Sequence, residues 1–294
     1  PHAEINAIQM ALENDIDLEN CELYCTLEPC SHYGRTPPCC NEIIKRKIKK
    51  VYIGIKDPDE RVQGRGIKIL EENGIKVYQN ILKKEIEESL KEYLIFKQEK
   101  RPFIRLKMAI SIDGKIASFS GESKWISGEK AREKVHHLRN LSQAIIIGSK
   151  TALIDNPKLN VRLNQEIINT PLRVILDTFG SIYNSNNHLY NLEMGPTLFF
   201  TSEKCNPLTI NLWKKYNIDY KIVKINKNNK LDINEVLNEL YKLGCVQVLV
   251  EGGALIFSEF LQLDLWDEII IHQGQFLLGN KGKDCFQIKE GIES

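Results

Sequence analysis

The chain has 294 residues, of which 42% are hydrophobic and 27% charged, and this length and composition allow two domains with separate cores. Its formal net charge of +1 provides no basic field, so nucleic acid is not an expected partner. The eight cysteines show no disulfide-like pattern and no apolar run is long enough to span a bilayer, which indicates a reducing, cytoplasmic compartment where thiolates can bind zinc.

The first hundred residues alternate between helix-like and strand-like segments. A stripe of apolar residues, Ile5, Ile8, Ala11 and Leu12, predicts a helix over residues 2–14. The pattern then predicts strands at 21–27, 50–55 and 75–78, and helices at 39–49, 67–73 and about 85–97. The polar segment 99–102 is the predicted linker after a first domain of residues 1–98.

A second α/β domain is predicted over residues 103–294. Strands are expected at 103–111, 144–148, 172–175, 197–201, 220–225, 246–250 and 268–272, with helices at 128–140 and 233–243. After Glu251 a strand meets a helix at Gly252 and Gly253, where a ligand can approach the backbone and the helix N-terminus offers N–H groups to a phosphate. This junction is not the G-x-G-x-x-G fingerprint, and paired glycines are also common in plain turns. The pattern therefore favours a dinucleotide fold other than the Rossmann fold.

Four side chains near the start have the types and order of a zinc-dependent deaminase, H-x-E followed by P-C and a second Cys, although Cys30 and Cys39 are further apart than the usual C-x-x-C. His2, Cys30 and Cys39 supply three ligands, which leaves the fourth zinc position open for water. Glu4 is then free to transfer protons as the general acid/base. Cys40 is an alternative ligand because it is adjacent to Cys39.

Residues 26–39, TLEPCSHYGRTPPC, resemble the zinc motif of the bifunctional deaminase/reductase family of riboflavin biosynthesis. The resemblance implies a cytidine-deaminase-like three-layer first domain, and it places the third ligand directly after the two prolines, at Cys39. It also implies that His32, Arg35 and Asp57 bind the substrate of the deaminase. Asp59 stands where family members often carry Asn, and its extra carboxylate would repel a phosphosugar unless Arg35 offsets it.

Three further segments resemble the reductase half of the same family: residues 106–117 (LKMAISIDGKIA), 121–127 (GESKWIS) and 155–162 (DNPKLNVR). The resemblance implies that the second domain has a dihydrofolate-reductase-like α/β fold and uses NADP(H). The implied cofactor-binding residues are Ala109, Trp125, Thr151, Asp155, Gly253, Ala254, Leu255, Ile256, Phe257, Ser258 and Glu259. The implied substrate-binding residues are Ser123, Arg139, Leu159, Arg162 and Glu251. Arginine suits a phosphate because its planar guanidinium can donate two hydrogen bonds.

Other polar residues of the second domain have weaker patterns. Lys107 lies on the same predicted strand as Ala109 and is a further candidate for the site. We expect the histidines without a partner pattern on the surface or in the ordinary core, and these are His136, His137, His188 and His272.

The resemblance covers nearly the whole chain and implies two successive activities in riboflavin biosynthesis. The first domain would deaminate 2,5-diamino-6-ribosylamino-4(3H)-pyrimidinone 5′-phosphate with zinc and Glu4. The second would use NADPH to reduce the ribosyl group to ribityl. We expect a homo-oligomer that acts on this small phosphosugar, without a nucleic-acid or membrane partner. Because family members extend beyond both ends of this sequence, we also expect a shortened chain with weak deaminase activity.

Three other functions stay open at this point. A zinc deaminase that acts on a nucleic-acid base predicts an aromatic and basic surface, which the near-neutral charge does not favour. A reductase with a non-functional deaminase half would release no ammonia. A zinc-braced binding module would not oxidise NADPH.

Overall fold

In a computed structural model, the chain divides into two compact units, Pro1–Glu99 and Lys100–Ser294. The structure describes residues 2–34, 36–121, 126–163, 167 and 169–286. The division falls within the predicted linker. None of the helices described is both long and apolar enough to cross a membrane.

The first unit is built on a three-stranded parallel sheet with the order β1-β2-β3. Its strands are β1 (Glu22–Leu27), β2 (Lys50–Ile55) and β3 (Lys76–Tyr78). Its helices are α1 (Ala3–Glu13), α2 (Cys39–Lys45), α3 (Arg65–Glu72), α4 (Lys83–Ser89) and α5 (Lys91–Gln98).

Helices cover both faces of this sheet. Val51 and Ile53 of β2 share a buried core with side chains of α1, α2 and α3. Because side chains alternate along a strand, Gly54 belongs to the other face. There a Cβ on Gly54 would lie 2.1 Å from Ile86 Cδ1 of α4, so glycine allows the helix to pack closely. The sheet is the middle of three layers, as the family resemblance implies.

The second unit is built on a seven-stranded parallel sheet with the order β11-β4-β10-β6-β7-β8-β9. A small antiparallel pair, β5 with β12, lies beside it. The strands are β4 (Phe103–Ile110), β5 (Lys115–Ala117), β6 (Ala144–Gly148), β7 (Leu172–Leu176), β8 (Thr197–Thr201), β9 (Asp219–Ile222), β10 (Gln247–Gly252), β11 (Glu268–Gln273) and β12 (Lys283–Asp284). The helices are α6 (Glu129–Leu141), α7 (Ser149–Asp155), α8 (Pro207–Lys215), α9 (Ile233–Lys242) and α10 (Ala254–Gln262).

This sheet brings several predicted site residues to one edge. Its strands are parallel, so the carboxyl ends of β4, β10 and β6 meet on the same side. Ala109 lies near the end of β4, Gly252 ends β10 and Gly148 ends β6. Ligands of open α/β sheets commonly bind at this edge.

Several element boundaries differ from the prediction. The helix predicted over 85–97 is two helices that meet at Leu90, and no proline or glycine marks this break. The helix predicted over 39–49 ends at Lys45, because the chain turns through Lys47 at φ +57° before it enters β2. Helix α8 was not predicted, although Asn206 caps it and Pro207 opens it, which are recognised start signals.

Candidate functional sites

Three side chains of the first unit converge in a metal-ligand cluster. His2 Nδ1 lies 3.3 Å from Cys30 Sγ and 3.3 Å from Cys39 Sγ. All three ligand atoms lie within 4.8 Å of one another. Zn–N and Zn–S bonds of about 2.0 and 2.3 Å in a tetrahedral site need ligand atoms about 3.5 Å apart. The donor set therefore fits zinc and leaves a fourth position for water.

The adjacent Cys40 has a different environment. Cys39 is the first residue of α2, after Pro38, and Cys40 points about 100° further around the helix axis. The Cys40 thiol donates to the carbonyl oxygen of Pro29 at 3.3 Å, and burial raises its pKa to about 12. Cys40 is therefore a protonated, buried hydrogen-bond donor. The geometry favours Cys39 as the ligand.

Glu28, in the middle of the motif, has a structural role that was not predicted. Its side chain is buried, and its carboxylate accepts hydrogen bonds from the backbone N–H groups of Gly64 at 2.8 Å, Gly66 at 2.8 Å and Ile67 at 3.2 Å. A carboxylate stabilises the unpaired N–H groups at the start of a helix, here α3. Because Glu28 lies two residues before Cys30, this contact also fixes the segment that carries the ligand.

A cavity of about 720 Å³ opens beside the ligand cluster. His2 and Cys30 line it together with Glu4, His32 and Asp57. Glu4 faces the cavity without belonging to the ligand cluster. His32 Nδ1 is buried and has no hydrogen-bond partner within the described part of the chain, so it can bind a ligand.

Asp59 lines the same cavity, but its charge is already paired. Its carboxylate accepts hydrogen bonds from Arg61 Nε at 2.8 Å and from Lys97 Nζ at 2.8 Å. The Arg61 guanidinium, with help from Lys97, holds the pKa of Asp59 far below its usual range. Arg61 and Lys97, rather than Arg35 alone, therefore offset this carboxylate. Asp57 accepts a hydrogen bond from Tyr93 Oη at 2.8 Å.

The second unit contains a cavity of about 560 Å³ at the carboxyl edge of its sheet. Predicted cofactor residues that line it are Thr151, Asp155, Gly253, Ala254, Leu255, Ile256 and Glu259. Three lysines that were not predicted, Lys150, Lys230 and Lys283, line it as well. Lys230 forms an ion pair with Glu259, and the carboxylates of Asp155 and Asp284 line the cavity too, so the lysines give it no net positive charge. The volume of the cavity suits a ligand as large as a dinucleotide.

Two glycines without side chains, Gly252 and Gly253, precede the first residue of α10. Gly252 has φ +137°, a conformation that other residues rarely adopt. A Cβ on Gly253 would lie 3.0 Å from Thr151 Oγ1. Gly253 therefore allows α7 and α10 to lie close together, with backbone N–H groups at the start of α10 accessible to a ligand.

Three predicted cofactor residues do not line this cavity. Phe257 is 2% exposed and packs in the core, and Ser258 is equally buried, with its hydroxyl donating to the Ala254 carbonyl at 2.7 Å. Helix α10 turns both side chains away from the cavity, so the assignment of these positions to the cofactor stays a prediction. Ala109, on β4, is also not a lining residue.

Two of the predicted substrate residues bind each other. Arg139 Nε and Nη2 donate to the two carboxylate oxygens of Glu251 at 2.6 and 2.8 Å, and Arg139 Nη1 donates to the Asn160 carbonyl at 3.1 Å. The side chains of Arg139 and Glu251 are only 11% and 8% exposed. Burial alone would raise the pKa of Glu251, but the paired guanidinium overrides it and lowers the pKa to about 2. The pair is therefore ionised.

Arg162 is tied to this pair through neighbours that were not predicted. Its Nη1 donates to Asn160 Oδ1 at 2.6 Å, and its backbone N–H donates to His136 Nδ1 at 3.1 Å. Burial and the nearby guanidiniums lower the pKa of His136 to about 4. His136 is therefore a half-buried residue with a backbone partner that no local sequence pattern indicates. We refer to Glu251, Arg139, Asn160, Arg162 and His136 as the arginine network.

Lys107 and Leu159 lie around this network in different ways. Burial lowers the pKa of Lys107, while the charge of Glu251 acts in the opposite direction. The Leu159 side chain is 2% exposed and packs in the core, so only its backbone is available to a substrate.

Arg35, Ser123 and Trp125 lie outside the described residues.

Comparison with known proteins gives matches to both units. The family model for the RibD C-terminal domain matches residues 102–293, and that for the cytidine and deoxycytidylate deaminase zinc-binding region matches residues 1–55. The riboflavin biosynthesis protein RibD of Chlamydia trachomatis is 39% identical over 285 residues, which cover 96% of this chain and 74% of the relative. RibD of Bacillus amyloliquefaciens is 37% identical over 298 residues, covering 100% of this chain and 77% of the relative.

A solved structure is similar over nearly the same length. The diaminohydroxyphosphoribosylaminopyrimidine deaminase/5-amino-6-(5-phosphoribosylamino)uracil reductase of Thermotoga maritima superimposes with a TM-score of 0.84 at 36% identity. The alignment covers 97% of this chain and 76% of that protein.

Proposed function

Because the chain belongs to the RibD family of riboflavin biosynthesis proteins, we propose that it catalyses two successive steps on one phosphorylated pyrimidine. It is a bifunctional enzyme with a zinc-binding deaminase domain and an NADPH-dependent reductase domain. The proposed first step is hydrolytic deamination of 2,5-diamino-6-ribosylamino-4(3H)-pyrimidinone 5′-phosphate. The proposed second step is reduction of the ribosyl group of the deaminated product to ribityl.

The placement of Glu4 carries the proposal for the first step. Glu4 lines the cavity beside His2 and Cys30 but stays outside the ligand cluster. Zinc held by His2, Cys30 and Cys39 would supply Lewis-acid activation of a water molecule. Glu4 accepts a proton from the attacking water and returns protons to the departing ammonia.

We assign the binding of the deaminase substrate to His32, Arg35 and Asp57. The buried, unpartnered Nδ1 of His32 supports this assignment, because a ligand would satisfy it. Asp59, offset by Arg61 and Lys97, adds little repulsion to a phosphosugar.

For the second step, the chain has to hold two ligands beside each other. An N-ribosylamine can open to an imine, which accepts the hydride that bound NADPH supplies. Thr151, Asp155 and the start of α10 are assigned to the cofactor because they line one cavity. Arg162 is assigned to the phosphate of the substrate. Catalysis in this unit then depends mainly on orientation.

Ammonia release and NADPH oxidation by the zinc-loaded chain test the two-step proposal. With the diamino substrate, ammonia should appear before NADPH is consumed, in equal final amounts. With 5-amino-6-(5-phosphoribosylamino)uracil, NADPH should be oxidised without ammonia release. Oxidation of NADPH with the second compound only, and no ammonia from the first, would instead favour a reductase with a non-functional deaminase half. The converging zinc ligands disfavour that alternative.

We further propose that the enzyme is a cytoplasmic homo-oligomer. All eight cysteines are free, which supports a reducing compartment. The proposal of a homo-oligomer rests on the resemblance to the family. Light scattering on the purified chain tests it, and a monomer at assay concentration would refute it.

A further inference from the structure

We propose that His136 is a positioning residue of the reductase, which fixes the loop of Arg162 so that its guanidinium can meet the phosphate of the substrate. The inference rests on the proposed role of Arg162 in phosphate binding. His136 lies on α6, and Arg162 follows 26 residues later, in the loop between α7 and β7. The two residues are far apart along the chain, and folding brings them into contact.

His136 holds the backbone of this loop. Its Nδ1 accepts a hydrogen bond from the backbone N–H of Arg162 at 3.1 Å. A neutral imidazole that accepts at Nδ1 carries its proton on Nε2, whereas a protonated ring has no acceptor. Burial and the guanidiniums of Arg139 and Arg162 outweigh the opposite effects of Glu251 and of the Asn160 backbone, and lower the pKa of His136 to about 4. The acceptor is therefore present at neutral pH.

Asn160 holds the side chain of the same arginine. Asn160 Oδ1 accepts from Arg162 Nη1 at 2.6 Å, and the Asn160 carbonyl accepts from Arg139 Nη1 at 3.1 Å. Arg139 is itself fixed by its two hydrogen bonds to Glu251. Arg162 is thus anchored to α6 through its backbone and to a buried ion pair through its side chain.

The charges explain why such anchoring is needed. Glu251 neutralises Arg139, whereas Arg162 has no carboxylate partner among the residues that the structure describes. Arg162 is exposed, but partial desolvation and the nearby guanidinium of Arg139 lower its pKa, as expected for two neighbouring cations. Without fixed contacts, an exposed arginine next to another cation would turn away from it. His136 and Asn160 oppose this movement and leave the charge of Arg162 available to an anion.

Three substitutions of His136 test the inference. His136→Leu removes both ring nitrogens. His136→Asn keeps an acceptor near the position of Nδ1, whereas His136→Gln places its amide near Nε2. His137→Leu is the matched control, one residue along α6 and about 100° around its axis. For each variant of the whole chain, kcat, the KM for 5-amino-6-(5-phosphoribosylamino)uracil and the KM for NADPH are measured at neutral pH.

His136→Leu and His136→Gln should raise the KM for the phosphosugar about tenfold, because a backbone N–H loses its acceptor. His136→Asn should stay within about threefold of the parent, and kcat and the KM for NADPH should change little in all three. In an Arg162→Ala background, His136→Leu should add no further effect, because it acts through Arg162.

Several results would overturn this inference. An unchanged KM in His136→Leu, no rescue by Asn, or a parallel rise in the KM for NADPH would each show that His136 does not position Arg162. If His136→Leu does not fold, the contrast between Asn and Gln decides. When Arg162→Ala raises the KM and His136→Leu does not, only this inference fails. When Arg162→Ala leaves the KM unchanged, the proposed phosphate role of Arg162 fails, and the inference fails with it.

Discussion

Replacing Glu251 by Gln should destabilise the second unit by roughly 3 kcal/mol. The Glu251 side chain is 8% exposed and accepts two hydrogen bonds from Arg139. The pKa of Glu251 is lowered from 4.5 to about 2, and at about 1.4 kcal/mol per pKa unit this corresponds to roughly 3 kcal/mol. Removal of one partner from a buried ion pair typically costs about 3–5 kcal/mol, because it leaves an uncompensated charge.

The same pair makes the stability of the second unit depend on pH. A carboxyl group whose pKa is lowered by folding stabilises the fold above its unfolded pKa, and this stabilisation is lost as the pH falls through its folded pKa. For Glu251 the loss extends from about pH 4.5 to about pH 2. The free energy of unfolding of the parent should therefore approach that of Glu251→Gln over this range.

Tryptophan fluorescence during unfolding in urea measures this effect. All three tryptophans, Trp125, Trp213 and Trp266, belong to the second unit. Trp213 is fully buried and stacks on Phe199, with ring centroids 4.5 Å apart. The signal therefore reports the second unit alone, so the unfolding of a two-domain chain need not be treated as one transition.

The matched control is Glu239→Gln in the same unit. Glu239 pairs with Lys221 and Lys242, whose side chains are about half exposed, so its replacement should cost less than about 1 kcal/mol. A loss of stability in Glu251→Gln no larger than in this control would refute the reasoning. A difference from the parent that stays constant between pH 4.5 and pH 2 would refute it as well.

Glu4→Gln should retain zinc but lower ammonia release roughly 10²–10⁴-fold, because the amide cannot accept a proton; a rate above about a tenth of the parent rate contradicts this role. Elemental analysis should find about one zinc per chain, strongly reduced in Cys30→Ser and Cys39→Ser but not in Cys40→Ser. Undiminished zinc in the first two variants would exclude these ligands. Arg162→Ala should raise the KM for the phosphosugar by about tenfold or more, or roughly 1.5–3 kcal/mol, with little change for NADPH. Equal effects on both ligands would assign Arg162 to the cofactor or to the fold.

The candidate metal centre could be predicted because its signal is local and chemically specific. His2 and Glu4 are two residues apart, and Cys30 and Cys39 belong to one continuous motif. This combination of one histidine, two cysteines and a glutamate two residues after the histidine is typical of zinc deaminases. The residue types alone do not distinguish Cys39 from Cys40 as the ligand. It depends on the direction of the first turn of α2, which places Cys39 beside His2.

Residues that act through distant contacts could not be predicted. Glu28 accepts from the N–H of Gly66, 38 residues further along the chain, and His136 accepts from Arg162 after 26 residues. A glutamate inside a zinc motif and a histidine on an amphipathic helix carry no local sign of such partners. These contacts exist only after β1 has paired with β2 and α6 has packed on its sheet.

Arg139 and Arg162 were both expected to bind the substrate, but their environments in the structure differ. Arg139 uses Nε, Nη1 and Nη2 on Glu251 and Asn160, and its charge is cancelled within a buried pair. A phosphate that approaches this pair meets little net charge. Arg162 has its charge intact and is joined to the pair through Asn160. Phosphate affinity should therefore depend on the charge of Arg162, while Arg139 and Glu251 form the rigid support that gives this charge its position.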